Sequence, residues 1–566
     1  MPKPVAVQLH FWPWSVGVRD ETLDLASDDK SFPFYGSPVI SVIQGTKLFL
    51  PHRHEQFRPT GLDFQTHAGN CQLFQAPHGV LAQAHKEFQK KPFGIHIRTN
   101  RNSQMVHLQP EGANPRFVGA NDEKEETKLA RAVLAWSQFF DNLIEGCEDT
   151  FGENQLSWKQ VRQEMEKEAQ EADEPRKALI VGIAERMNLR IVMVVHAARK
   201  ILQRQRRMIQ ATRVCETDRG CIRWLVRQPG KTLAEKAAIN RQQLMGIIRK
   251  ETHDTVENRV LKDFLFRCAQ EGNRYLKTDV GNRFENSRRA KQVRGYRHLC
   301  RELHQVPHLH GVRLPPVGIR PNYVLQNDYR YRQVWKDYKR LLRRKDEEDC
   351  LWDWQGRTWA DVARVLLSTA LFSMANPNGR ERPVLKEILS SRIRVHKEQR
   401  LGSRIAAGSE PGPFICGTGS YNSNVSILEV VHPDQAGEHP DTKSLGRLGG
   451  HLYIVINPLS GNRKTVVVMW AVHTAGSANK PEWTKIALSA GRALRSHQSV
   501  LDDSRIPAIP LLKGFVIASD LATKEADLHG GENEALHLVQ VGADQRCWSN
   551  ALAGISLILE SVFEGA

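Results

Sequence analysis

No two of the nine cysteines stand in a C-x-x-C pair, and they are scattered from Cys71 to Cys547. An odd, dispersed set excludes a disulfide framework and a zinc ribbon, and it is the usage expected of a reducing cytoplasm. Long apolar runs are missing as well. The opening MPKPVAVQLHFWPW is broken by prolines and polar residues and offers no signal-peptide core, and no apolar run approaches the roughly 20 residues that span a bilayer. The expectation is a cytoplasmic protein without a membrane partner. G-x-S-x-G and H-E-x-x-H are absent. Gly230-Lys231-Thr232 resembles the end of a phosphate loop, but Leu225 stands where the first Gly of G-x-x-x-x-G-K-T belongs, so no nucleotide site is read there.

What the chain does have is basic charge, and it is concentrated. Arg186 to Lys345 carries 38 Lys and Arg against 13 Asp and Glu, a net of +25, whereas the whole chain is +17. A segment charged in this way repels itself on folding unless a polyanion compensates, which makes nucleic acid the first partner to consider. Candidate phosphate contacts are Arg204, Arg206, Arg207, Arg288, Arg289, Lys291, Arg340, Arg343 and Arg344. A single run such as Lys339 to Lys345 reads equally as a solvated helix face. Tyr323, Tyr329, Tyr331, Trp335 and Tyr338 interleave the basic residues and are suited to stack on bases, although the last three also have the spacing of a core stripe.

At 566 residues the chain is too long for one core, and the pattern suggests an α+β multidomain protein. Residues 1–120 read as a β-rich N-terminal domain, 121–350 as a basic helical domain and 351–566 as an α/β domain. Within the middle, ALIVGIAERMNLRIVMVVHAARKILQRQRRMIQ reads as a helix that continues or breaks internally. Trp224 to Lys250 reads as a helix-turn-helix with Arg241, Gln242 and Gln243 opening a recognition helix, or as an ordinary helical hairpin. Cys300, His304, His308 and His310 offer zinc-type donors, but Pro307 interrupts them and the spacing is wrong for common structural sites, so surface histidines are the plainer reading.

The most specific local pattern is ETHDTVENRVLKDFLFRCAQEGNRY, residues 251–275. Asp254 is placed to cap a helix that starts at Thr255, with Glu257 completing a capping box. Val256, Val260, Phe264 and Cys268 then form one stripe, flanked by Leu261 and Leu265, while Asn258 can reach a neighbouring loop and Arg259 faces away. Here the chain resembles the McrC-like proteins, which pair a helical domain carrying a D-T-x-E-N-R signature with a C-terminal PD-(D/E)XK nuclease. Asp254, Glu257, Asn258 and Arg259 stand at the signature positions, and PNYVLQNDYRYRQVWKDYKRLL from Pro321 is similar to the segment joining the two parts. The resemblance spans roughly Leu189 to Phe372, with a weaker architectural match beyond. It implies a restriction-type defence against foreign DNA and an AAA+ motor, or another defence-system protein, as partner.

A PD-(D/E)XK nuclease is a helix, a three-stranded meander, a helix and a further strand. The C-terminal region reads that way: helix Thr358 to Phe372, strands Val425 to Val431, His451 to Ile456 and Thr465 to His473, helix Pro481 to His497, strand Gly514 to Ser519. The family's chemistry needs an Asp on the second strand and an Asp/Glu-x-Lys on the third, because carboxylates hold Mg²⁺ and the lysine positions water. His451 opens the second strand, and TVVVMWAVHT contains neither carboxylate nor lysine. Asp434, Asp441 and Lys443 match the motif literally, but six residues between the aspartates are too few for a strand, a turn and a second strand. Asp520, Glu525 and Asp527 lead into Gly530 and Gly531 and read as loop. The resemblance therefore implies a pseudonuclease: a DNA-binding, non-catalytic subunit of a multi-protein prokaryotic antiviral system, contacting double-stranded DNA through its backbone and needing no cofactor. The alternatives are a Mg²⁺-dependent endonuclease acting through Asp434, Asp441 and Lys443, and a structural adaptor that binds only protein.

Overall fold

The computed structural model describes residues 6–10, 14, 22–24, 39–42, 47–51, 63–68, 71–75, 93–98, 103–110, 117–118, 125–126, 128–146, 155–171, 173–351, 355–375, 384–388, 392–395, 404–418, 424–459, 463–473, 480–502, 509–520, 527–530 and 535–564. By its contacts the chain divides into two compact units, residues 173–345 and residues 1–172 together with 346–566. Helices and sheets are mixed in the fold. Among the described residues no helix is long and apolar enough to cross a membrane.

Among the described residues, the strands of two sheets precede the first described helix: β1 (Ala6–His10), β2 (Thr22–Asp24), β3 (Val39–Val42), β4 (Lys47–Pro51), β5 (Asp63–Ala68), β6 (Cys71–Gln75), β7 (Phe93–Arg98) and β8 (Ser103–Pro110). They form a sheet of order β2-β1-β4-β6-β5 and another of order β3-β8-β7. Helices α1 (Lys128–Gly146) and α2 (Trp158–Gln170) follow, the second started by a capping box between Ser157 and Gln160.

The 173–345 unit begins with α3 (Leu179–His196). The chain then leaves the helix for β9 (Ile201–Gln210), crosses α4 (Arg219–Arg227) and α5 (Leu233–Ile239), and returns in β10 (Gln243–Thr252). This corrects two expectations. ILQRQRRMIQ is a strand, because all ten of its residues pair one for one with β10 in an antiparallel ribbon. The recognition helix does not exist either. Arg241 and Gln242 take left-handed backbone angles, φ 56° and 61°, which turn the chain straight into β10.

Next come α6 (Val256–Tyr275), α7 (Arg288–His304) and α8 (Tyr329–Leu351). The predicted stripe on α6 is core: Val260, Leu261, Phe264, Leu265 and Cys268 are fully buried with α3, α7 and the aromatic side of α8. Tyr331, Trp335 and Tyr338 belong to that core, so they cannot stack on bases. Cys300 is buried beside them, His308 bonds Val195 O and His310 bonds Gln305 O. Cys300, His308 and His310 are thus spent separately, and no group of three or more metal donors is gathered among the described residues.

In the other unit, α9 (Gln355–Ala375) leads to β11 (Leu385–Glu387), β12 (Phe414–Thr418), β13 (Asn424–Val431), β14 (Leu452–Pro458) and β15 (Thr465–His473). After α10 (Lys480–Asp502) come β16 (Leu511–Asp520), β17 (Asp527–Gly530), β18 (Leu536–Gly542) and α11 (Trp548–Glu564). The sheet order is β11-β12-β13-β14-β15-β16-β18-β17, with β15 parallel to β16 and β16 parallel to β18. The helix, meander, helix and strand expected from the sequence are all there, within a few residues of the predicted bounds. Both faces are covered. Val467, Met469 and Ala471 join a core with α1, α2, α9 and α11, while Val466, Val468, Trp470 and Val472 face Trp483, Ile486 and Leu494 of α10. A strand buried on both sides reads as one continuous apolar run. Gly514 on β16 is needed for that packing: a Cβ there would lie 2.6 Å from Leu494 and 2.8 Å from the Trp470 ring.

Candidate nucleic-acid interface

The D-T-x-E-N-R residues form a polar hub at the start of α6. Thr255, not Asp254, is the N-cap: its hydroxyl accepts from the Asn258 backbone N–H at 3.3 Å. Asp254 is free for another task. It accepts from Arg259 Nε and Nη2 at 2.7 and 2.9 Å and from Arg313 Nε at 2.7 Å, fastening the helix start to the 313 loop. The Arg259 contact, and then that of Arg313, holds its carboxyl far below the ordinary range.

Asn258 is fully buried and uses its amide in both directions. Its Nδ2 donates to Arg199 O and His253 O, both at 2.7 Å, and its Oδ1 accepts from Tyr331 OH at 2.8 Å. Glu257 is also buried and accepts from Arg199 Nη1 at 2.6 Å and Asn322 Nδ2 at 2.9 Å. Burial raises its pKa, but its own backbone N–H, Thr255, Asn322 and Arg199 together bring it below the usual value. Asn322 and Tyr331 lie in the second segment singled out in the sequence, so the two stretches meet through side chains. The sequence pointed to these stretches but not to Arg199 and Arg313, which carry no local signal.

The candidate phosphate contacts fall in several places. Arg204, Arg206 and Arg207 are exposed on β9. Arg204 pairs with Glu216, and Arg206 chelates Asp218 with contacts of 2.6 to 3.0 Å. Arg288 and Lys291 are exposed on the first turns of α7. Arg289 must be withdrawn from the set: it is 2 % exposed, and its Nη1 donates to Pro175 O at 2.8 Å, so its guanidinium is structural. Arg340 is partly exposed next to Asp337 at 3.5 Å. Arg343 and Arg344 continue α8, and their side chains lie outside the described ones.

In the sheet, His451 occupies the place where an Asp was looked for. Its backbone N–H donates to Met469 O at 2.7 Å and its Nδ1 accepts from Ala471 N–H at 3.0 Å, so it completes the β14–β15 ladder. At the far end of β15, His473 Nδ1 bonds Ser519 Oγ at 2.7 Å, and burial pushes its pKa down to about 3. Asp434 is exposed in a run of turns, with Oδ2 3.4 Å from His432 Nδ1. Asp441 is held by Lys464 Nζ at 2.9 and 3.1 Å, and Lys443 opens a 3₁₀ turn with its side chain exposed. The loop reading of this segment is correct in kind: it is built of turns, closed by bonds such as Thr442 Oγ1 to Ala436 O.

A family described as a domain of unknown function (DUF2357) matches residues 133–308, a stretch that includes the signature. No curated protein matches the chain. Among solved structures, a refined half-complex of Thermococcus gammatolerans McrB AAA+ hexamers with bound McrC matches at 10% identity and a TM-score of 0.23. The match covers 91% of this chain and 100% of that one. The superposition is too loose to carry an argument about fold or function.

Proposed function

We propose that the chain is a DNA-binding, non-catalytic subunit of a multi-protein antiviral defence system, gripping the duplex by its phosphates and working with an AAA+ motor. The observation that carries the non-catalytic half is β15. Every residue from Thr465 to Val472 is buried, and none is a carboxylate or a lysine. Magnesium takes oxygen ligands in a near-octahedral set, and apolar side chains supply none. Among the described residues no cluster of three donors is gathered for the ion, and Asp441 is paired with Lys464. The DNA-binding half is supported by the net charge of +25 between Arg186 and Lys345. The motor partner rests on the resemblance carried by Asp254 to Arg259 and by Pro321 to Leu342.

The test is to incubate the full chain with end-labelled duplex DNA and Mg²⁺ or Mn²⁺ and run matched native and denaturing gels. A retarded band with full-length strands is expected. Shortened strands that disappear with Asp441→Ala would make the turn segment an active site and overturn the proposal. Protein that retards no DNA but captures an acidic partner would favour the adaptor reading.

A further inference from the structure

The segment from Arg313 to Lys336 contains four aromatic residues, and the structure separates them into two classes. Tyr331 and Trp335 pack in the core with Tyr338 just beyond, whereas Tyr323 and Tyr329 are 79% and 77% exposed. A tyrosine has 150–250 Å² to bury, so two left almost bare in a segment that buries its other aromatics are not there for packing. Tyr323 opens a short helical turn, Tyr323–Asn327, and Tyr329 opens α8 directly after it. Arg320, Arg332 and Lys336 around them are exposed, and the acid between them, Asp328, is already held by Arg330 at 2.8 Å. The Arg330 guanidinium lies 5.8 Å from the Tyr329 ring centroid, so the Arg330–Asp328 pair sits beside that ring.

We infer that Tyr323 and Tyr329 form a stacking platform for unpaired bases, with Arg320, Arg332 and Lys336 taking the flanking phosphates. The ligand is single-stranded nucleic acid, because a duplex keeps its base faces stacked internally and offers exposed tyrosines nothing to stack on. A surface for an apolar protein would not intersperse unpaired cations among its aromatics. This inference rests on the DNA-binding reading above and sharpens it: the basic unit would hold a strand that has been opened.

The experiment titrates the full chain with a labelled thymidine oligonucleotide and, separately, with a duplex, reading anisotropy. Both tyrosines are exposed, so Tyr323→Ala with Tyr329→Ala should fold as the parent does. The pair should weaken single-strand binding about tenfold or more and leave duplex binding within about twofold, while Tyr323→Phe with Tyr329→Phe retains both. Unchanged single-strand binding, or equal loss for both ligands, would overturn the platform. If the unsubstituted chain binds the duplex but not the oligonucleotide, the platform fails alone. If it binds neither, the DNA-binding reading fails with it.

Discussion

Asn258 and Trp470 are both fully buried, the first at a signature position of the McrC-like resemblance and the second on the strand where that resemblance calls for an Asp/Glu-x-Lys. Asn258 spends its amide on the Arg199 and His253 carbonyls and on the Tyr331 hydroxyl. Trp470 makes one bond, from Nε1 to Leu448 O at 2.7 Å, and otherwise packs edge-on against Trp14 with ring centroids 5.4 Å apart. One region thus keeps buried polar chemistry because it bridges segments far apart in sequence. The other, where catalytic groups would be needed, is held mainly by apolar packing. Polar residues at a signature can therefore be structural, and a strand without carboxylates can be packed on both faces.

The largest effect should come from the apolar side. Trp470→Ala removes a close-packed indole between Gly514 and Trp14 and should cost about 3–5 kcal/mol in urea unfolding. A cost below about 1 kcal/mol would show that the sheet does not depend on this packing. Asn258→Ala should follow at about 3 kcal/mol, since it orphans two carbonyls and a hydroxyl in the interior. DNA affinity extrapolated to the folded population should be unchanged. Lost affinity at full folding would make the signature part of the interface and break the contrast.

Acid should separate the two regions. His473 is held neutral with its pKa lowered to about 3, so below its ordinary value of about 6.5 the unfolded chain takes up a proton that the folded one refuses. Its unit should lose stability progressively as pH falls from about 6.5. Asp254 has a depressed pKa, so its contribution is present above about pH 4 and is lost only on further acidification. His473→Phe should remove the first loss and Asp254→Asn the second, as read from urea midpoints at pH 7, 5 and 3. A common acid limb that neither substitution alters would refute both assignments.

How far the sequence reached follows the same division. The elements α9, β13, β14, β15, α10 and β16 were legible because fully buried strands and amphipathic helices announce themselves as local apolar patterns, whereas the short strands β11 and β12 were not read. β9 was missed because its arginines fit helical spacing and its pairing partner, β10, begins more than thirty residues later. The hub was half legible. Its residues stood out, but two caps lay side by side at Asp254 and Thr255, and two of the three partners of Asn258 are 59 and 73 residues away. Arg289 looked like its neighbour Arg288, and only the turn of α7 decided which one is buried.

The smallest effect is the one that tests the ribbon directly. A free arginine that neutralises a phosphate adds about 0.9 to the log–log salt slope of binding. Arg204 and Arg206 start from ion pairs with Glu216 and Asp218, and each must give up its carboxylate before it can meet a phosphate. Arg204→Ala with Arg206→Ala and Arg207→Ala should therefore flatten the slope by less than the roughly 2.7 that three unencumbered contacts would give. The converse is sharper. Asp218 also caps α4 by accepting from Cys221 N–H at 2.9 Å, a task asparagine performs equally well. Glu216→Gln with Asp218→Asn should leave the fold intact, release both guanidinium groups and make binding tighter at low salt and steeper in its salt dependence. If slope and affinity both stay put, the ribbon does not touch the phosphates, and the charge that does must lie on α7 and α8.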